Sequence, residues 1–134
     1  MNVDIRRLER TIEDWDWTGT VYICGPMSNL ASTNIDSFHL VDRVLRKHKD
    51  KPKVLNPATL DQGSEYCKLV RQSFSMLVQA DKMIVLPKWE CSTGASSEII
   101  AATLMNLTIR FVHPAYLTSL MVFEADRSYR MNPL

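Results

Sequence analysis

From residue 20 onward the chain alternates between short β-branched or aromatic runs and longer stretches with helical periodicity. Thr20-Val21-Tyr22-Ile23-Cys24 reads as a buried strand that stops at Gly25-Pro26. Val54-Leu55 is a shorter strand ended by Asn56-Pro57. Lys82-Met83-Ile84-Val85-Leu86-Pro87 is the clearest strand, and Thr108-Ile109-Arg110-Phe111-Val112 is closed by His113-Pro114. Between these runs the apolar spacing becomes that of a helix. A helix starting at Thr33 or Asn34 sets Phe38, Val41 and Leu45 on one face. Residues 64–80 carry Tyr66, Leu69, Val70, Phe74, Leu77 and Val78 on one stripe. From Ala95 to Asn106 a third helix buries Ile99 and Ala102, with Leu107 following. Strands separated by helices must run parallel, with the helices covering both faces of the sheet. The expected fold is therefore α/β, a three-layer sandwich on a mostly parallel, Rossmann-like or flavodoxin-like sheet of about five strands. It forms one domain over residues 1–134 with its core at 20–112. Two extensions flank the core. One is an N-terminal helix over 3–13, with Ile5, Leu8 and Ile12 in phase. The other is a tail over 115–134, in which Leu120-Met121-Val122-Phe123 fits either a last strand or part of a helix.

Composition narrows the function classes. With 134 residues, 46% of them apolar, the chain can bury a core without disulfides or metals. The net charge of +1, from 16 basic and 15 acidic residues, argues against a nucleic-acid partner. The basic run Arg43 to Lys51 fits a solvated helix end. Cys24, Cys67 and Cys91 form no CxxC pair, and His39, His48 and His113 show no ligand spacing, so neither a disulfide framework nor a metal site is expected. No stretch is apolar enough to span a membrane, and residues 1–7 lack an apolar signal core, so the expected location is cytoplasmic. No cofactor is expected.

In an open parallel sheet, ligands bind beyond the carboxyl ends of the strands. Two loops leave such ends with unusual composition: Gly25-Pro26-Met27-Ser28-Asn29, and Pro87 to Gly94. Each leads into a helix N-terminus, whose free N–H groups attract anions. The first loop is neither GxGxxG nor Walker A, so it supports neither a dinucleotide nor NTP hydrolysis. Gly25 permits close backbone approach, and Ser28 and Asn29 offer donors, but a turn and helix cap would use the same residues. In the second loop Ser92 and Gly94 flank a helix start, and Glu98 falls in or near its first turn among Ala95, Ser96 and Ser97. A carboxylate there is favoured in its ionised form. On these grounds alone Glu98 is either a dipole-compatible surface residue or a site residue. Asp81, between a helix and a strand, is either a turn residue or a site residue.

Five separated pieces in order carry a resemblance: Tyr22-Ile23-Cys24-Gly25-Pro26-Met27; Asn34 with Phe38; Asn56-Pro57; Ala80-Asp81; and Leu86 through Gly94-Ala95-Ser96-Ser97-Glu98. Together they resemble the DUF4406 family, frequent in bacteriophages and placed in the nucleoside 2-deoxyribosyltransferase-like superfamily. The resemblance covers Thr20 to Val112. It implies cleavage of the N-glycosidic bond of a nucleoside or nucleotide, with Glu98 as nucleophile on the anomeric carbon. That bond cleavage builds oxocarbenium character, which a close carboxylate stabilises or traps. It further implies that Asp81 helps the base depart and that Tyr22 orients Glu98. Six residues before the glutamate, the branch acting on free nucleosides carries an aspartate and the branch acting on 5′-monophosphates a serine. Here that residue is Ser92. The phosphate-binding branch also tends to have an arginine in the first loop, where this chain has Ser28-Asn29-Leu30.

The expected function is therefore cleavage of a (deoxy)nucleoside 5′-monophosphate, releasing or transferring the base. The alternatives are deoxyribosyl transfer between free nucleosides and non-catalytic binding of a nucleotide signal by a phage protein, which would act in the host cytoplasm. Trp89 is either a stacking surface or a half-buried loop closure, and Met27 a pocket residue. The resemblance implies a homodimer or larger homo-oligomer, for which Tyr116, Phe123 and Tyr129 are interface candidates.

Overall fold

The structure, a computed structural model, describes residue 12 and residues 15–27 and 33–121. Ser28, Asn29, Phe123, Tyr129 and most of the expected N-terminal helix lie outside the described residues. The strands are β1 (Thr20–Cys24), β2 (Lys53–Leu55), β3 (Lys82–Val85) and β4 (Thr108–Phe111). The helices between them are α1 (Thr33–Arg46), α2 (Tyr66–Leu77) and α3 (Thr93–Leu104), with 3₁₀ turns at Pro57–Thr59 and Trp89–Cys91. All pairings are parallel, in the order β2-β1-β3-β4. The described sheet thus has four strands rather than about five. Residues 114–121 are helical, so Leu120 and Met121, the described part of the segment that fits either a last strand or a helix, belong to a helix. Pro114 suits a first helical position, and His113 Nδ1 accepts the Ala115 N–H at 3.1 Å.

Strand alternation distributes side chains to two cores. Val21, Ile23, Ile84 and Leu86 pack with Phe38, Val41 and Leu45 of α1 and with Tyr116. Tyr22, Cys24, Met83 and Val85 pack with Leu77 of α2 and with Ala95 and Ala102 of α3. Tyr116 is therefore a core residue of the monomer and not an interface aromatic. Trp17, fully buried, ties down the segment before β1: its Nε1–H donates to Ile12 O at 2.7 Å and its backbone N–H to Asp50 Oδ2 at 2.9 Å. Among the described residues no helix is long and apolar enough to cross a membrane.

The amino edge of the sheet is held by Asp81. Its Oδ2 accepts the Thr20 N–H at 2.9 Å, and its own N–H donates to Thr20 O at 2.8 Å. Gly19 makes room for it. At φ +96° a side chain is already disfavoured, and a Cβ would fall 2.5 Å from Asp81 Oδ2. Asp81 is thus a turn residue that joins β1 to β3. Asp81→Ala is expected to lower unfolding free energy by about 1 kcal/mol, the usual net value of one such bond. Asp81→Asn, which keeps an acceptor, should stay near wild type. Urea unfolding of the two variants checks this, and equal losses would remove the hydrogen bond as the cause.

Candidate functional site

Strand order reverses between β1 and β3, and a crevice opens beyond their carboxyl ends. There the chain forms a cleft of about 670 Å³. Its floor is Glu98 and Ser73. One wall is Tyr66, Leu69, Val70 and Phe74 of α2, and the other is the start of α3 from Ser92 to Gly94. The apolar stripe of α2 is therefore only partly core. Leu77 is fully buried, while Tyr66 is 60% exposed on the cleft wall.

Ser92 is the N-cap of α3: its Oγ accepts the Ala95 N–H at 3.1 Å. Its hydroxyl proton can still be donated. Ser96 N–H opens the helix ladder to Ser92 O at 3.0 Å, so Thr93 and Gly94 carry the N–H groups that helix geometry leaves without an intrahelical partner. A Cβ on Gly94 would meet only Ser92 Oγ, at 3.8 Å. The space in front of this helix end is open.

Gly25 lines the cleft with its backbone, but the expectation that it is glycine for a ligand's sake is corrected. A Cβ there would point into the core, 2.9 Å from Leu86 Cβ and 3.2 Å from Phe38 Cζ. Packing of β1's end against β3 and α1 demands the glycine. Met27 lines the cleft. Trp89 does not: its ring packs on Phe111 at 5.8 Å between centroids.

Glu98 is 6% exposed. It stands in the second turn of α3, beyond the reach of the helix dipole. Burial governs instead, pushing its pKa up to about 7, opposed by the Tyr22 hydroxyl. This reverses the expectation of a stabilised carboxylate. Glu98 Oε2 and the Tyr22 hydroxyl are both sealed from solvent, and neither completes a well-aligned hydrogen bond. The two groups nonetheless sense each other: Tyr22's pKa is raised, first by burial and then by the Glu98 charge. Glu98 nonetheless lines the cleft. Cys24, fully buried, donates its S–H to Ala95 O at 3.5 Å, and its pKa is raised by burial and then by Glu98.

Glu98, Ser92, Gly94, Gly25 and Met27 are thus gathered at one cleft, and Tyr22 is buried behind it, coupled to Glu98. Asp81 is not. It precedes β3, whose four residues put roughly 13 Å between it and the carboxyl end. The expected leaving-group role is corrected accordingly. Ser73 and Gln62 line the cleft without having been singled out. Ser73 is buried, and its hydroxyl faces Tyr22, whose pKa it lowers. A serine inside the apolar stripe, three residues after Val70 and four before Leu77, was the available signal. Among the described residues no three His, Cys, Asp or Glu side chains gather to hold a metal ion.

Neither the curated proteins nor the solved structures include a match to the chain. The model of one family, DUF4406, described as a domain of unknown function, matches residues 19–111, and the chain belongs to that family.

Proposed function

We propose that the chain cleaves the N-glycosidic bond of a nucleoside 5′-monophosphate, in the manner of the nucleoside 2-deoxyribosyltransferase-like superfamily that DUF4406 resembles. The observation that carries this reading is Glu98: a buried carboxyl that lines a switch-point cleft, with one oxygen sealed from solvent and without a hydrogen-bond partner. The phosphate sits on the Ser92 hydroxyl and the Thr93 and Gly94 N–H groups. Glu98 is five helical positions on from Thr93, about 7.5 Å along the axis, a distance suited to a ribose 5-phosphate reaching from helix end to carboxyl. The base lies along the apolar wall of Tyr66 and Phe74.

In the first step the ionised Glu98 oxygen bonds to the anomeric carbon. The C–N bond breaks, and its electron pair leaves with the base. The cleft offers no second carboxyl among the described residues, and Tyr22 holds its proton too tightly to give it up, so the base is protonated from water. In the second step water attacks the same carbon, the glycosyl ester opens, Glu98 departs as carboxylate, and the extra proton goes to solvent. With a second base as acceptor, the same intermediate leads to transfer. The exposed rim at Tyr66 is the surface a second copy of the chain would cover.

Because the nucleophile must be ionised, kcat/KM should rise with pH through about 7 and then level off. A profile that falls over this range would recast Glu98 as a general acid. Release of free base from a panel of 5′-monophosphates should drop about 10³-fold or more in Glu98→Ala and Glu98→Gln. Release that persists in both would remove Glu98 from the role.

The same burial predicts a stability signature. Glu98's folded pKa lies above the free value of 4.5, so the fold binds the proton more tightly than the unfolded chain. The resulting stabilisation is complete below pH 4.5 and is lost as pH rises through about 7. The gap corresponds to roughly 3 kcal/mol. Glu98→Gln should therefore unfold at higher denaturant than wild type at pH 8 and near wild type at pH 4.5. A constant difference at both would contradict it.

Gly94→Ala meets no obstacle within the protein. Its melting temperature should match wild type while its affinity for a 5′-monophosphate falls tenfold or more, by about 1.4 kcal/mol, with free nucleoside unaffected. Calorimetric titration checks this, and unchanged phosphate affinity would move the anion site elsewhere.

A further inference from the structure

Gln62 lies between the 3₁₀ turn Pro57–Thr59 and α2 and lines the cleft. Its side-chain nitrogen donates to two backbone carbonyls, Leu60 O at 2.9 Å and Pro57 O at 3.3 Å. A primary amide has two N–H donors and one carbonyl acceptor. Both donors are therefore committed. Turning the amide over would set its oxygen against two carbonyl oxygens, so the hydrogen-bond pattern fixes the orientation. A free glutamine suits a donor or an acceptor by rotating. This one has only Oε1 left to offer.

The surroundings leave little to compete with it. The α2 wall beside it is apolar at Leu69, Val70 and Phe74 and carries one polar group, the hydroxyl of the exposed Tyr66, while Ser73 lies at the floor beside Tyr22. We propose that Gln62 determines base specificity, selecting bases with an exocyclic amine, of the adenine or cytosine kind, over their oxo counterparts. This rests on the nucleotide reading of the cleft. The amine donates to Oε1. An oxo group in the same place sets two acceptors face to face, each left without a donor, and sites of this type discriminate strongly against the mismatched group.

The test uses two matched pairs, the 5′-monophosphates of deoxyadenosine and deoxyinosine, and of deoxycytidine and deoxyuridine. Ratios of kcat/KM are read in the active chain, and ratios of Kd in the Glu98→Gln chain, each with and without Gln62→Ala. Gln62 is exposed, so its truncation leaves the core intact. The amino member is expected to be favoured at least about tenfold in each pair that binds, and Gln62→Ala should bring the ratio to within about twofold. Equal treatment of the pair members by the parent chain, or a preference that survives Gln62→Ala, overturns the assignment. If no base is released from any nucleotide, the catalytic reading fails while the Kd ratios still decide Gln62. If none of the four binds, both fall.

Discussion

Because β1 lies between β2 and β3 and runs parallel to both, neither neighbour can join it without a helical crossover. The two sides of the sheet are then built outward from it in opposite directions. Right-handed crossovers place α1 on one face and α2 and α3 on the other. Both cores therefore meet at one five-residue strand, with Val21 and Ile23 serving the first and Tyr22 and Cys24 the second. The crevice at its end follows from the same reversal. Tyr22 and Cys24 lie close enough to Glu98 for its charge to raise their pKa values, so the strand that organises the fold also backs the site.

Placing a carboxyl on that floor opposes stability. Burial raises the pKa of Glu98 to about 7, so near neutral pH the fold holds a charge it would do better without. A surface glutamate at a helix start would have the opposite sign, because the dipole would favour its charge. The difference is one helical turn and the overlying cleft walls. A destabilising carboxyl, buried beside Tyr22 at a cleft and with one oxygen unpartnered, is hard to account for as packing. Under the proposed reading that environment has a use, because a reacting carboxyl must be poised between its two protonation states.

The layer architecture was legible because its signal is periodicity, and each strand from Thr20–Cys24 to Thr108–Phe111 ends in punctuation that parallel strands share. The segment from Leu120 to Phe123 was ambiguous because a short apolar run fits two periods, and for Leu120 and Met121 the decision rests on Pro114 at the helix start and contact with the core. Within the site, Ser92 and Gly94 were legible as a helix start. Ser73 was not, since one serine among apolar neighbours on α2 tells nothing about which part of the stripe faces core and which faces a cleft. Gln62 was invisible for another reason: its meaning lies in two backbone carbonyls that a local turn happens to present. Gly25 was read for the right location and the wrong cause, because only the packed structure reveals that its missing side chain would collide with Leu86.

Asp81 and Glu98 show how far topology alone can separate two carboxylates. Asp81 directly precedes β3 and Glu98 lies in the helix that follows it, and both fall within the span matched by the family. Yet a residue that immediately precedes a parallel strand must lie at its amino end, while crevice ligands bind at carboxyl ends. Asp81 precedes β3, so the strand assignment already placed it on the far side from any switch-point ligand. There it is exposed and accepts a backbone N–H, an environment that holds the chain together. Glu98 follows a loop that leaves β3's carboxyl end, and the sheet's direction delivers it to the crevice. Strand polarity is thus a stricter filter on candidate site residues than residue type: it retains Glu98 and excludes Asp81 before any side chain is positioned.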